Sequence, residues 1–326
     1  MRPQVVSEED IRSAVIFDEG CIAAIEDAFA SLAKGGEVIM PPVMQMRLDA
    51  VEGLTCVKSS YSIGAPYFAV KLASTYHQNH RLGIPSASGL MLICSGLTGY
   101  VECILLDNGY LTALRTQAAG AVVARKLSRA DSRVAGVIGA GRQARLQLAA
   151  LRSVRPIERA FVWGPNAEER ASFARDMSAE LDIEVVATSS AEEAVRPSDI
   201  IVTATPAKTP IVRAEWLKPG QHITAMGADA PGKSELFPEV ICKATRYICD
   251  RDQQCRTLSE LHAAIVAGAV DSNFPTTELG DVIAGVRVGR EKPEDITIAD
   301  LTGLGVQDTA IALLAWSKIS SANAPG

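Results

Sequence analysis

The run Ala135-Gly136-Val137-Ile138-Gly139-Ala140-Gly141-Arg142-Gln143-Ala144 carries the most information in this 326-residue chain. A short apolar, β-prone segment enters the pattern G-x-G-x-x-A, and a helix-forming stretch from Arg145 to Arg152 follows. Strand, tight turn and helix in that order form the unit that binds a dinucleotide. Gly139 permits the turn, Gly141 has no side chain to block a pyrophosphate, and Ala144 lets the helix pack closely on the strand. The new helix offers unpaired N–H groups and the positive end of its dipole to phosphate. The bare pattern also fits an ordinary β–α turn, so its weight comes from the flanking strand and helix.

On the carboxyl side, strands and helices alternate. Strands are predicted at 160–163, 183–187, 199–205, 222–227, 246–249 and 296–299, with a helix over 167–181 and another opened by Ser190. This reads as a parallel, doubly wound Rossmann sheet. On the amino side, Ser7 with Asp10 resembles a capping box, and a second helix runs from about Asp18 to a Gly35-Gly36 stop. Short runs at 44–49, 54–60, 67–73, 89–94 and 99–106, punctuated by Gly, Pro and Asp, suggest an antiparallel sheet. An alanine-rich helix over 111–127 leads into the fingerprint strand. The apolar helix around 311–316 is expected to cross back to the first domain. The predicted class is therefore α/β: a Rossmann domain over 116–305, plus a discontinuous α+β substrate-binding and dimerisation domain over 1–115 with 306–326.

A hydrophobic content of 48%, a charged content of 21% and a net charge of −6 describe a globular protein with ample core. No Lys/Arg-rich stripe is present, which argues against nucleic acid as a partner. The seven cysteines are scattered without a C-x-x-C pair, and the four histidines lack zinc-ligand spacing, so no metal is expected. The first ten residues hold no signal-peptide core and no apolar run would span a bilayer; the expected compartment is the cytoplasm.

NAD-specific folds place an acid at the end of the second strand, about 20 residues beyond the glycines. Here that strand ends Trp163-Gly164-Pro165-Asn166, without an acid, while Arg142 could meet a 2′-phosphate or simply face solvent; NAD and NADP both stay open. Ligands of open α/β sheets bind outside the carboxyl ends of the strands. Two such ends stand out: Thr203-Ala204-Thr205-Pro206 and Met226-Gly227-Ala228-Asp229-Ala230-Pro231-Gly232-Lys233. Asp229 there can relay a substrate nitrogen's proton, or be a turn former before Pro-Gly. In 67–73, Lys71 shares a strand face with Ala69 and Ala73, which leaves room for a small acid. On pattern alone, the wet face of an antiparallel sheet is the more ordinary place for such a lysine. Arg47 lies on a polar face with Gln45 and Asp49, and Arg115-Thr116 could reach a pyrophosphate or be solvated.

Taken together, Leu114-Arg115-Thr116-Gln117-Ala118-Ala119, the glycine loop 139–144, the 227–233 loop and Asp300-Leu301-Thr302-Gly303-Leu304-Gly305-Val306-Gln307-Asp308 resemble the ornithine cyclodeaminase/μ-crystallin family over nearly the whole chain. The resemblance implies a homodimer pairing through its first domains, NAD(P) on each Rossmann domain, and a small amino- or imino-acid substrate in a pocket between domains. It further implies that Lys71 and Arg47 bind the substrate carboxylate and that Asp229 is the proton donor/acceptor. Ser86 would stand near the nicotinamide, where the family usually has Thr. Arg115, Gly141, Arg142, Gln143 and Thr205 would line the cofactor. Thr116, Gly139, Ala144, Asn166, Met226, Gly227, Lys233, Thr302 and Gly303 complete the candidate cofactor contacts. Tyr76, His77, Arg81 and His262 are candidates for shaping the substrate pocket, or for structural and surface roles.

Two departures matter: Arg47 is displaced from the family's Pro-Pro-Arg spacing, and Gly164 replaces the Asp of NAD users. Glu278-Leu279-Gly280-Asp281-Val282-Ile283-Ala284-Gly285 with Gly289-Arg290 is similar to the alanine dehydrogenase and cyclic-imine reductase branch. The stretch 105–112 resembles proteins encoded with ectoine-degradation enzymes. The leading expectation is an NAD(P)-dependent oxidoreductase of small α-amino or α-imino acids. The alternatives are a redox-neutral cyclodeaminase of ornithine or a related diamino acid, and a non-catalytic NAD(P)H or ligand-binding protein.

Overall fold

Runs of β-branched and aromatic residues broken by turn formers build the first sheet of the computed structural model, which describes residues 2–33 and 37–322. The predicted Gly35-Gly36 helix stop and the His77 side chain lie outside the described residues. Two units are resolved by their internal contacts, Met1–Ala118 with Leu304–Gly326, and Ala119–Gly303.

In the first unit the strands are β1 (Gln4–Val6), β2 (Val38–Ile39), β3 (Met44–Leu48), β4 (Gly53–Ser62), β5 (Tyr67–Tyr76), β6 (Ala87–Ser95) and β7 (Val101–Leu105). They run in the order β1-β7-β6-β5-β4-β2, with β3 also paired to β4. The sheet is mixed rather than wholly antiparallel, because β1 lies parallel to β7 with Gln4 opposite Cys103. Three residues are too few to show a period, and their partner is distant in sequence, so no local signal announces this pairing.

Helices α1 (Glu8–Ala14) and α2 (Glu19–Leu32) start at side-chain caps. The Ser7 hydroxyl accepts from the Asp10 N–H, and the Asp18 carboxylate from the Cys21 N–H. The last helix, α11 (Gly305–Ala322), packs on β4, β5 and α2. Its Thr309 hydroxyl meets the Ser60 hydroxyl at 3.0 Å and the Ala69 N–H at 3.3 Å, which pins its first turns to both strands.

The chain leaves this unit within α3 (Tyr110–Leu127). The second unit is an eight-stranded parallel sheet among the described residues: β8 (Val134–Ile138), β9 (Arg159–Trp163), β10 (Glu184–Ala187), β11 (Ile200–Thr203), β12 (His222–Ala225), β13 (Arg246–Cys249), β14 (Thr277–Glu278) and β15 (Thr297–Asp300). Their order is β10-β9-β8-β11-β12-β15-β13-β14. The direction of winding reverses between β8 and β11, where a doubly wound sheet opens its ligand crevice.

Helix α4 (Arg142–Val154) packs on the central strands β8 and β11, α5 (Ala167–Leu181) on β9 and β10, and α6 (Ala191–Val195) on β8 and β9. One core, around Val137, Leu148, Val162 and Phe173, fills one face of the sheet; the other, around Ile138, Val195, Ile201, Ile223 and Ile298, fills the opposite face. Each fully buried aliphatic or aromatic side chain of this kind contributes about 1.5–3 kcal/mol. The short helices α7 (Pro238–Lys243), α8 (Asp252–Leu258), α9 (Glu260–Val266) and α10 (Leu279–Ile283) complete the unit. No helix among the described residues is long and apolar enough to cross a membrane.

Candidate functional site

The glycines of the β8–α4 turn have different duties. Gly139 sits at φ +118°, and a Cβ there would come within 2.7 Å of the Ala204 carbonyl, so the fold itself demands glycine. At Gly141 a Cβ would meet nothing within 4 Å. That space is left open by the protein. Gly141 is also the N-cap of α4 and supplies no side-chain acceptor, whereas Asn166 accepts from the Glu168 and Glu169 N–H groups of α5, and Ser190 from the Glu193 N–H of α6.

The first turn of α4 thus keeps its donors for an anion and carries no acidic residue. Arg142 is exposed beside it, Ala144 is fully buried against the sheet, and the buried Gln143 Oε1 has no hydrogen-bond partner among the described residues. These features fit a dinucleotide pyrophosphate. At the end of β9, Arg170 donates to the Gly164 carbonyl at 2.9 Å, and the Asn166 side chain is engaged in capping α5.

The loops after β11 and β12 are joined by a carboxylate that the sequence did not flag. Glu235, with no exposed surface, accepts from the Thr203 hydroxyl at 2.6 Å, the Thr205 N–H at 2.6 Å and the Gly227 N–H at 2.8 Å. A Cβ on Gly227 would lie 2.2 Å from the Thr205 carbonyl and 2.5 Å from the Glu235 carboxyl carbon, so glycine is obligatory where the two loops meet. Glu235 is held in turn by Glu260, which accepts from its N–H at 2.7 Å and from the Leu236 N–H and the Ser234 hydroxyl.

In the loop so fixed, Asp229 is half-exposed, with the Lys233 Nζ 2.7 Å from its Oδ1; Met226 donates its N–H to the Thr203 carbonyl. Lys233, an expected cofactor contact, is therefore a partner of Asp229 in this structure. The Thr302 and Gly303 N–H groups and the Thr302 hydroxyl are directed at the buried Asp250 carboxylate, at 2.7–2.9 Å.

In the first unit, Lys71 is buried rather than on a wet face: it is 2% exposed, because α11 covers its side of β5. Its Nζ lies 2.8 Å from both oxygens of Asp308 on α11, and Arg115 Nε is 3.1 Å from Asp308 Oδ1. Burial lowers the Lys71 pKa to about 7, against the opposing pull of Asp308. Asp308 is held below the usual carboxylate range by Lys71, Arg115 and Lys58, which outweigh the effect of its burial.

Arg115, expected at the cofactor, thus stands with Lys71. Strand register puts Arg47 on the same sheet face, opposite Leu54, with its guanidinium half-exposed and 3.7 Å from Asp49. Ser86 is exposed in the turn before β6, and the Thr116 hydroxyl donates to the Thr112 carbonyl within α3.

The profile of the family described as "Ornithine cyclodeaminase/mu-crystallin family" matches residues 1–323. The chain belongs to that family. Three solved members show how similar its fold is. Thermococcus litoralis Δ1-pyrroline-2-carboxylate reductase, in complex with NADH and L-proline, is 33% identical, with a TM-score of 0.92 over 98% of each chain. An archaeal alanine dehydrogenase dimer with bound NAD is 33% identical, with a TM-score of 0.91 over 100% of this chain and 98% of that one. The iminosuccinate reductase of Paracoccus denitrificans, in complex with NAD+, is 31% identical, with a TM-score of 0.89 over 99% and 98%.

In this family member, sequence pattern alone gives no role to Asp308, Glu235, Glu260 or Asp250. Asp308 lies in a stretch that carried the resemblance, so a signal was present. The buried carboxylates of the second unit had none, because each serves backbone N–H groups that only the folded loops bring to it.

Proposed function

We propose that this protein is an NAD(P)-dependent oxidoreductase of small α-amino or α-imino acids. The observation that carries the reading is the gathering of Lys71 and Arg115 on one buried carboxylate, since cations taken out of water call for an anionic ligand. The substrate carboxylate joins Lys71 and Arg115, with Arg47 on the same sheet face. Bound NAD(P) supplies the hydride acceptor or donor at nicotinamide C4, and the first turn of α4, Gly141 and Arg142 are the groups that would hold its pyrophosphate.

In the oxidative direction the substrate Cα–H bond breaks with loss of hydride, a Cα–N double bond forms, and the nitrogen proton passes to a carboxylate oxygen of Asp229. In the reductive direction Asp229 returns it. Lys233 holds the Asp229 carboxylate in place between turnovers. The partly exposed apolar outer face of the first sheet, with Met44, Met46 and Leu72, supports a homodimer formed through that sheet, as does the dimeric state of the archaeal relative. The scattered, mostly buried thiols suit a cytoplasmic setting.

The deciding experiment assays NADH and NADPH oxidation with keto acids plus ammonia and with cyclic imines, in wild type and Asp229→Ala. Turnover is expected to fall by at least about 100-fold in the variant while NADH binding, followed by fluorescence, stays within twofold. Near-wild-type rates in the variant end the assignment of Asp229. Ammonia release from ornithine without net nucleotide oxidation would make the protein a cyclodeaminase instead.

A further inference from the structure

Strand β9 ends beside the glycine loop, where the Gly139 N–H donates to the Trp163 carbonyl at 2.7 Å. A Cβ on Gly164, the next residue, would stand 3.3 Å from Ala140 Cβ and 3.5 Å from Ala140 N. A side chain at 164 would thus emerge facing the loop, at the point where the second strand of a dinucleotide fold meets the adenosine ribose. An acid there would accept from the ribose hydroxyls and repel a 2′-phosphate. This chain places no side chain at that point. The charged group fixed to Gly164 is instead cationic: Arg170 of α5 donates to the Gly164 carbonyl at 2.9 Å. Arg170 is half-buried, that bond leaves most of its guanidinium donors uncommitted, and it pairs with no carboxylate among the described residues.

The other charges around this end of the sheet have their own partners or positions. Glu193, beyond β10, accepts from the Ser189 N–H at 3.0 Å and the Ser189 hydroxyl at 2.7 Å. Glu169 accepts from the Asn166 side-chain amide at 3.4 Å, and Glu168 is exposed on the first turn of α5, where its charge suits the helix dipole and is screened by water. On α4, Arg145 is paired with Asp176 at 3.2 Å, and Arg142 is assigned to the pyrophosphate. Arg170 is the cation left for the ribose. We propose that this chain selects NADP(H) over NAD(H), with Arg170 holding the 2′-phosphate in the space that Gly164 leaves open. The choice would set it apart from the three solved relatives, which carry NADH, NAD and NAD+. This deepens the oxidoreductase reading and rests on it for the dinucleotide site.

The test is a fluorescence titration of the intact protein with NADPH and with NADH, without substrate. In wild type, NADPH is expected to bind at least about tenfold more tightly, the scale of one charge-assisted hydrogen bond. In Arg170→Met the ratio should fall below about threefold, and Arg170→Lys should keep part of it. Gly164→Asp should reverse the preference. Thermal melts establish that the variants are folded. Equal affinities or tighter NADH binding in wild type, which needs no variant, overturns the proposal, as does an undiminished ratio in Arg170→Met. Preference for NADPH without turnover of any imino acid would keep the proposal and remove the oxidoreductase reading; turnover with NADH favoured would do the reverse. Binding of neither nucleotide removes both.

Discussion

Burying an ammonium group against Asp308, which also pairs with Arg115, makes Lys71 sensitive to pH in a range where surface lysines are inert. Its pKa, lowered by burial to about 7 from 10.5, means that the group carries its charge below that pH and loses it above. A carboxylate that does not itself titrate in this range, such as propionate, should therefore bind progressively more weakly above pH 7. The slope should approach a factor of about ten per pH unit. Lys71→Arg keeps its charge throughout, so its propionate affinity, whatever its absolute value, should be flat with pH by calorimetry. A wild-type affinity that is constant from about pH 6 to 9 would contradict the burial argument. The alternation along 67–73 correctly put Lys71 with Ala69 and Ala73, but which face is dry depends on α11, whose Asp308 lies 237 residues away. No pattern within a strand can report a cover that arrives so late in the chain.

At the level of the element, the β8–α4 turn separates folding from binding glycine by glycine. Gly139→Ala forces a side chain into a positive-φ position against the Ala204 carbonyl, and should lower the melting temperature by several degrees. Gly141→Val fills space that the protein leaves empty, so its melting temperature should stay within about 2 °C while NADH affinity drops at least about tenfold. Both variants are read by a thermal melt and a fluorescence titration. Equal losses of stability would show that Gly141 serves the fold alone. This turn was legible in sequence because its causes are local: a β-branched run, two glycines at fixed spacing and a small residue for helix packing. The same holds for α5, whose Asn166 cap and apolar spacing define its ends. By contrast β1, and the place of β15 between β12 and β13, arise from pairings between distant segments.

Over the second unit as a whole, four carboxyl groups (Glu235, Asp250, Glu260 and Asp300) lie buried near the carboxyl ends of the strands, and each is held by hydrogen bonds. Burial raises all four pKa values, bringing Asp300 to about 7 and Glu260 to about 8; the charges of Asp300 and Glu235 add to the Glu260 shift. A carboxyl group with a raised folded-state pKa adds stability that is complete below its unfolded value near 4 and is lost as pH rises through the folded value. For Asp300 and Glu260 the cost is on the order of a few kcal/mol each. The melting temperature should consequently decline between about pH 5 and 8.5, and Glu260→Gln, which cannot ionise, should make that decline shallower. A parallel decline in the two proteins would show that Glu260 stays ionised throughout.

The position of β15 also governs when the sheet can be finished. Residues 297–300 leave the ribosome after the other strands described here, yet they sit between β12 and β13, which emerge earlier. Until then the nascent chain exposes two unpaired strand edges, the kind of surface that invites mispairing. Synthesis must therefore pass residue 300 before this domain can close, and a chaperone that shields strand edges would act on it during that interval.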